Sequence, residues 1–128
     1  MKKQSNDLVL GIYPVFKKLS LESENSFETA LRLAIAGNII DFAVGDHYDL
    51  QATIHKVLNS EFAINHSSEL RTSLLDAKSV LYLGDNAGEV VFDKLFIETI
   101  MHPNLTYVVR GAPVINDATI DDARYVGM

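Results

Sequence analysis

The sequence predicts an α/β fold in which a helical N-terminal portion leads into a strand–helix–strand parallel unit. Three observations carry that prediction. Residues 80–83 are a short apolar run that stops at Gly84, and helical spacing resumes with Val90, Val91, Leu95 and Phe96, the pattern of a strand, a turn and a helix. A second run rich in β-formers, Leu105 to Val109, follows the turn HPN at 102–104. Strand, helix and strand within about 30 residues imply a right-handed crossover between parallel strands.

Composition narrows the classes of function. The chain has 128 residues, 48% of them hydrophobic, which suits one domain. We expect a single, partial domain over 1–128, with a helical portion at 1–76 and an α/β portion at 77–128. Seventeen acidic residues against 11 basic ones, with a pI near 5.0, give no general attraction for nucleic acid. No cysteine is present, so disulfides and thiolate metal sites are excluded. The apolar runs are far short of a membrane span, and the opening MKKQSNDLVLG is too soon polar for a secretory signal. A cytoplasmic protein without membrane contact is the expectation.

Taken in order, the first helix is expected over 5–19, where Leu8, Ile12, Val15, Phe16 and Leu19 share a face, with Ser5 or Asn6 as cap. Pro14 should kink or restart it, having no N–H to donate. The polar run Ser20 to Asn25 reads as a loop. Ser26 begins a helix through Ala30, Leu31, Leu33, Ala34, Ile35, Ile39, Ile40 and Phe42 that is apolar nearly all round, hence buried on most sides. Gly37, Asn38 and Asp41 are unusual inside such a helix. Either they serve close packing and a satisfied polar contact, or Asn38 and Asp41 face a site and support its ligands from behind.

After a loop at 44–48, Asp49 should cap a helix through Leu58. His47 and His55, eight apart on different elements, make no metal-ligand spacing. A loop at 65–68 leads to a helix over 69–76, and Lys78 to the first strand. The helix between the strands should run from Glu89 to about Met101. A last helix opens at Asp117 or Thr119, with Asp121 and Asp122 in its first turn, where the dipole favours acids. Two strands are few for a stable sheet, so a chain with only these is expected to be cut short or to complete its sheet with another chain.

The chemistry-bearing residues fall at the carboxyl ends of the strands, where ligands collect in open parallel sheets. Asp85 offers a carboxylate and Asn86 an amide oxygen, hard donors suited to Mg²⁺ or Mn²⁺. Gly84 and Gly88 permit the tight turn that carries them. Asn116 and Asp117 leave a segment just beyond the second strand. Parallel neighbours lie about 4.8 Å apart, so both groups could converge on one cation with positions left for water and a phosphate. Arg110 on the same edge adds a positive charge for a phosphate oxygen. Each piece alone has a plainer reading, since an Asn-Asp pair is more often a turn or a helix cap than a ligand.

Together the segments GDNAGEVVFDKL at 84–95, VRGAPVINDATIDDA at 109–123 and LRLAIAGNIIDFAV at 31–44 resemble three motifs of the metal-dependent damage-control phosphatases, the domain of unknown function 89, in its prokaryotic branch. The resemblance covers the chain from about Ser5 to Met128. It implies an α/β fold with a helical N-terminal portion and a divalent-metal phosphatase (Mn²⁺, Mg²⁺, Co²⁺ or Ni²⁺) acting on small phosphorylated metabolites, such as sugar phosphates or damaged phospho-compounds. It places the metal ligands at Asp85, Asn86 and Asp117. Glu89, Asn116 and Arg110 stand at motif positions as neighbours of the site, and Asn38 and Asp41 belong to the GNIIDF motif. Asp85 is the candidate nucleophile if a phospho-enzyme forms, and a metal-bound water otherwise.

Two departures qualify the resemblance. A cysteine-bearing opening segment is absent, and family members continue for over a hundred residues beyond the equivalent of Met128, with further strands and a lysine motif that holds the phosphate. A metal-binding fragment, or one chain of a split enzyme, is therefore the alternative reading, with self-association or a missing C-terminal partner as its corollary. A methyltransferase-like cofactor module is a weaker third, because Gly84 and Gly88 do not make GxGxxG.

Overall fold

The computed structural model describes residues 2–39, 50–61, 63, 65–112 and 117–128. Six helices and two strands are described, in the order α1 (Lys2–Glu22), α2 (Ser26–Ile39), α3 (Leu50–Leu58), α4 (Ser67–Asp76), β1 (Val80–Leu83), α5 (Glu89–Ile100), β2 (Leu105–Val108) and α6 (Ile120–Tyr125). The protein is thus mixed α/β and mostly helical. The strands pair in parallel, Val80 opposite Leu105 and Leu83 opposite Val108.

The central element is α5. Its run Val90, Val91, Phe92, Leu95 and Phe96 is buried on nearly every side, because α1 and α2 cover one face and Tyr82 and Tyr107 of the sheet meet the other. Phe92 stacks against Phe16 of α1 with ring centroids 5.6 Å apart, and Phe96 against Phe27 of α2 at 5.5 Å. Each such ring contributes roughly 1.5–3 kcal/mol by leaving water. Gly37 lets α2 approach this closely: a Cβ there would stand 2.7 Å from Phe92 Cδ2. On the sheet side, the alternation of a strand sends Tyr82 inward beside Phe96 and leaves Leu81 and Leu83 66% and 70% exposed. That outer face is bare among the described residues, whereas parallel sheets ordinarily have both faces covered.

Several expectations change. The first helix starts at Lys2 and runs unbroken past Pro14 to Glu22, so the proline neither restarts it nor ends it, and the expected loop at 20–25 shrinks to 23–25. Neither Ser5 nor Asn6 caps it: Asn6 is an interior residue, 1% exposed. The second helix is covered on most sides, as its pattern predicts: Phe27, Ala30, Leu33 and Ala36 are buried, Leu31 and Ala34 pack against the same core, and Ile35 is exposed. Asn25 caps it, accepting from the Glu28 N–H at 3.1 Å. The fourth helix starts two residues early, and Thr119 rather than Asp117 opens the last, through a reciprocal capping box with Asp122. His55 is exposed and bonded to Asn59. The calls on Ile40, Asp41, Phe42, His47, Asp49 and Asn116 lie outside the described residues. No helix among those described is long and apolar enough to cross a membrane.

Candidate metal site at the strand ends

Three stretches of main chain meet where the sheet ends. Beyond Leu83, the Gly84 N–H donates to the Val108 carbonyl at 2.8 Å, extending the ladder by one residue. The segment 117–119 then lies between the two departing strands. The Ala118 N–H donates to the Asp85 carbonyl at 2.7 Å, and the Arg110 N–H donates to the Ala118 carbonyl at 3.1 Å. Asn86 and Asp117 form an isolated antiparallel bridge, and Arg110 and Thr119 a parallel one. Asp85, Asn86, Arg110 and Asp117 are therefore gathered at one edge by backbone hydrogen bonds.

The side chains are oriented from behind. The Asn86 amide Nδ2 donates to Glu89 Oε1 at 2.9 Å, which restrains the amide through its nitrogen and leaves the oxygen out of that bond. Asn38 of α2 donates to both oxygens of the same carboxylate, at 3.3 and 3.4 Å. Glu89 is 6% exposed. Burial pushes its carboxyl above the usual range, the amides of Asn86 and Asn38 pull back, and the charges of Asp93 and Asp85 push up again, with a net rise.

One turn along α5, Asp93 is buried to the same degree, and both its oxygens are held by phenols, Tyr82 at 2.7 Å and Tyr107 at 2.8 Å. Burial raises its carboxyl too, against the two phenol bonds that lower it. Tyr107 lies directly under the turn: a Cβ on Gly84 would come within 2.2 Å of its hydroxyl. Only a glycine fits there.

Asp85 and Arg110 lie apart from this buried row. Their closest atoms are 4.0 Å apart and both side chains are at least half exposed, so the pair is worth about 0–1 kcal/mol. A divalent cation or an anionic ligand could part them at little cost. The donors also suit a hard cation: two carboxylates, from Asp85 and Asp117, and the amide oxygen of Asn86. No cluster of three or more His, Asp or Glu side chains able to hold a metal occurs among the described residues, so an amide oxygen would have to complete the set.

Sequence reasoning missed Asn6, Tyr82, Asp93, Tyr107 and Asp122. A signal exists for Asp93 alone: it is the one carboxylate inside the apolar run of α5 and falls four residues after Glu89, on the same helix face.

The sequence model of the damage-control phosphatase ARMT1-like domain matches residues 1–127. Over 132 residues the chain is 37% identical to damage-control phosphatase PH1575 of Pyrococcus horikoshii, covering 99% of this chain and 45% of that protein. It is 35% identical over 130 residues to a damage-control phosphatase of Archaeoglobus fulgidus, covering 97% of this chain and 44% of that one. The crystal structure of PH1575, described as a DUF89 family protein, superposes with a TM-score of 0.84 at 34% sequence identity, over 98% of this chain and 45% of that one. The chain spans a little under half the length of these relatives.

Proposed function

The chain belongs to the ARMT1-like damage-control phosphatase family, and we propose that it carries the metal-binding part of a divalent-metal-dependent phosphatase for small phosphorylated metabolites, sugar phosphates or damaged phospho-compounds. One observation supports this reading above the others: Ala118 is hydrogen-bonded to both Asp85 and Arg110, which draws the segment carrying Asp117 against the one carrying Asp85 and Asn86.

Asp85, Asn86 and Asp117 would hold Mg²⁺, Mn²⁺, Co²⁺ or Ni²⁺. Such a cation, when bound, polarises a phosphoryl oxygen and neutralises charge that builds up in transfer. The protein's own groups do the rest. Glu89 keeps the Asn86 amide in one orientation, so its oxygen needs no reorganisation to ligate. Arg110, exposed beside Asp85, offers a fork of donors to a phosphate.

A second reading has its own support. The chain spans about 45% of its relatives, and the outer face of its sheet, with Leu81 and Leu83, is bare among the described residues. On that reading these residues bind metal, and turnover needs a further α/β portion packed on the bare face, in the same polypeptide or another.

Hydrolysis of an aryl phosphate by chelator-treated protein, with each metal added back, separates the two. Metal-dependent turnover lost in Asp85→Ala supports the phosphatase. Calorimetric Mn²⁺ binding that Asp85→Ala abolishes, without turnover, supports the metal-binding portion. No binding in the unaltered chain refutes both.

A further inference from the structure

A buried amide outside both strands ties together the two segments that carry the site. Asn6, on the first third of α1, accepts the Gly88 N–H on its Oδ1 at 2.8 Å and donates its Nδ2 to Asp122 Oδ1 at 2.9 Å. Gly88 ends the turn that bears Asp85 and Asn86, and has a positive φ of 86°, so the turn closes only with a glycine there. Asp122 caps the segment that bears Asp117: its Oδ2 accepts from the Thr119 N–H at 2.9 Å and the Thr119 hydroxyl at 3.0 Å, and pairs with the Lys2 ammonium at 2.7 Å. One side chain therefore spans from the first site segment to the second. Its acceptor serves one and its donor the other.

We propose that Asn6 is a positioning residue that sets the separation of the two ligand-bearing segments, and with it the affinity for a divalent cation. The inference rests on the reading of Asp85, Asn86 and Asp117 as ligands. Asn6 itself touches no ligand. It acts through Gly88, two residues past Asn86, and through Thr119, two residues past Asp117. A hydrophobic residue of similar size would fill the same space, but only a group that both accepts and donates satisfies Gly88 and Asp122 together. Leaving either unpaired in a buried place favours their moving apart to find water.

The chemistry suggests a swap that preserves the bridge. In Asn6→Asp alone, two carboxylates face each other and the donor to residue 122 is lost. In Asn6→Asp with Asp122→Asn, the new carboxylate still accepts from Gly88. The new amide donates back to it and keeps one oxygen for Thr119. All the contacts except the ammonium pairing are restored with donor and acceptor exchanged.

The experiment combines Mn²⁺ calorimetry with amide hydrogen exchange at Ala118, whose N–H joins the two segments. The unaltered chain, Asn6→Ala, Asn6→Asp, the Asn6→Asp/Asp122→Asn pair and Val9→Ala are compared. Val9 is a buried apolar residue on the same helix, so its truncation reproduces a general loss of stability without touching the bridge. The expected result is at least tenfold weaker Mn²⁺ binding and at least tenfold faster Ala118 exchange in both Asn6 single variants. Val9→Ala should keep its affinity and the swapped pair should recover most of it. Unchanged affinity in Asn6→Ala, an equal loss in Val9→Ala, or no recovery in the pair overturns the proposal. If the unaltered chain binds no Mn²⁺, the ligand reading fails by itself. Ala118 exchange then decides whether Asn6 holds the segments together, and an unchanged rate in Asn6→Ala overturns that too.

Discussion

The backbone of Asn86 pairs with that of Asp117 in a bridge outside both strands. Two side chains with oxygen donors thereby share one short stretch of paired main chain. Their relative placement rests in part on backbone hydrogen bonds worth about 0.5–1.5 kcal/mol each. Such a site can be loosened by small changes around it without unfolding the core on α5.

Glu89 offers the first prediction. Glu89→Ala removes the acceptor that orients the Asn86 amide, and groups that orient a metal ligand typically account for about 10–100-fold in affinity. Mn²⁺ calorimetry should show a loss in that range, with a smaller one for Asn38→Ala, whose bonds to Glu89 are long. An unaltered affinity in Glu89→Ala would show that the amide needs no such support.

Gly84 should tolerate nothing larger. An alanine Cβ would meet the Tyr107 hydroxyl at 2.2 Å and its ring carbon Cζ at 2.5 Å, and the ring is held by its bond to Asp93. Overpacking of this kind costs about 1–3 kcal/mol. Urea unfolding of Gly84→Ala should show a lower midpoint with an unchanged slope. Tyr107→Phe in the same background should recover little, because the ring carbon still clashes.

Asp93 and Asp122 should titrate on opposite sides of the ordinary aspartate value of 3.8. For Asp93, burial outweighs the Tyr82 and Tyr107 bonds and raises its carboxyl. Its contribution to stability is full below pH 3.8 and is lost as pH rises through the folded-state value. At Asp122 burial pushes up as well, but Lys2, Thr119 and Asn6 together hold it below 3.8. Its contribution is present above pH 3.8 and is lost as pH falls through the folded-state value. Carbon-detected carboxyl titration should resolve the two, and Asp122→Asn should flatten the acid limb of the stability curve. Coincident titrations near 3.8 would contradict both environments.

Met101 ends α5 in the left-handed region, with φ 51° and ψ 37°, and its side chain is exposed. That conformation costs a residue with a Cβ about 1–2 kcal/mol, part of which glycine returns as extra freedom in the unfolded chain. Met101→Gly should stabilise the protein by up to about 1 kcal/mol in a thermal or urea melt. A loss of stability would mean that the side chain packs in a way its exposure does not suggest.

The α/β class, both strands and the helix between them are legible in the sequence because each signal is local. Four apolar residues end at a glycine, and a run at helical spacing begins past Gly88. The start of the first helix is not legible. Asn6 looks like a cap because a short polar side chain near a helix start ordinarily bonds its own backbone, but its partners are Gly88 and Asp122, and no local pattern encodes them. Asp93 differs in part: its place inside the apolar run of α5 marks it as unusual, but its partners Tyr82 and Tyr107 lie on the two strands and no local pattern names them. Among the named site residues, the structure brings Asp85, Asn86, Arg110 and Asp117 to one edge and sets Glu89 and Asn38 behind it. Asp41 and Asn116 lie outside the described residues.

The bond between Asn6 and Asp122 joins positions 116 apart, which has a consequence in time. Chains are synthesised at about 5–20 residues per second from the N-terminus, so on the order of ten seconds separate the making of Asn6 from that of Asp122. During that interval the buried face of α1 can rest on α2 alone, then on α5 once residues near 100 have been made. The Asn6 amide lacks its Asp122 partner until α6 has been made. Among the described elements α1 is made before the others and gains its bond to α6 only after they have been made, and a pause in translation before residue 122 would leave the strand-end site assembled on one side only.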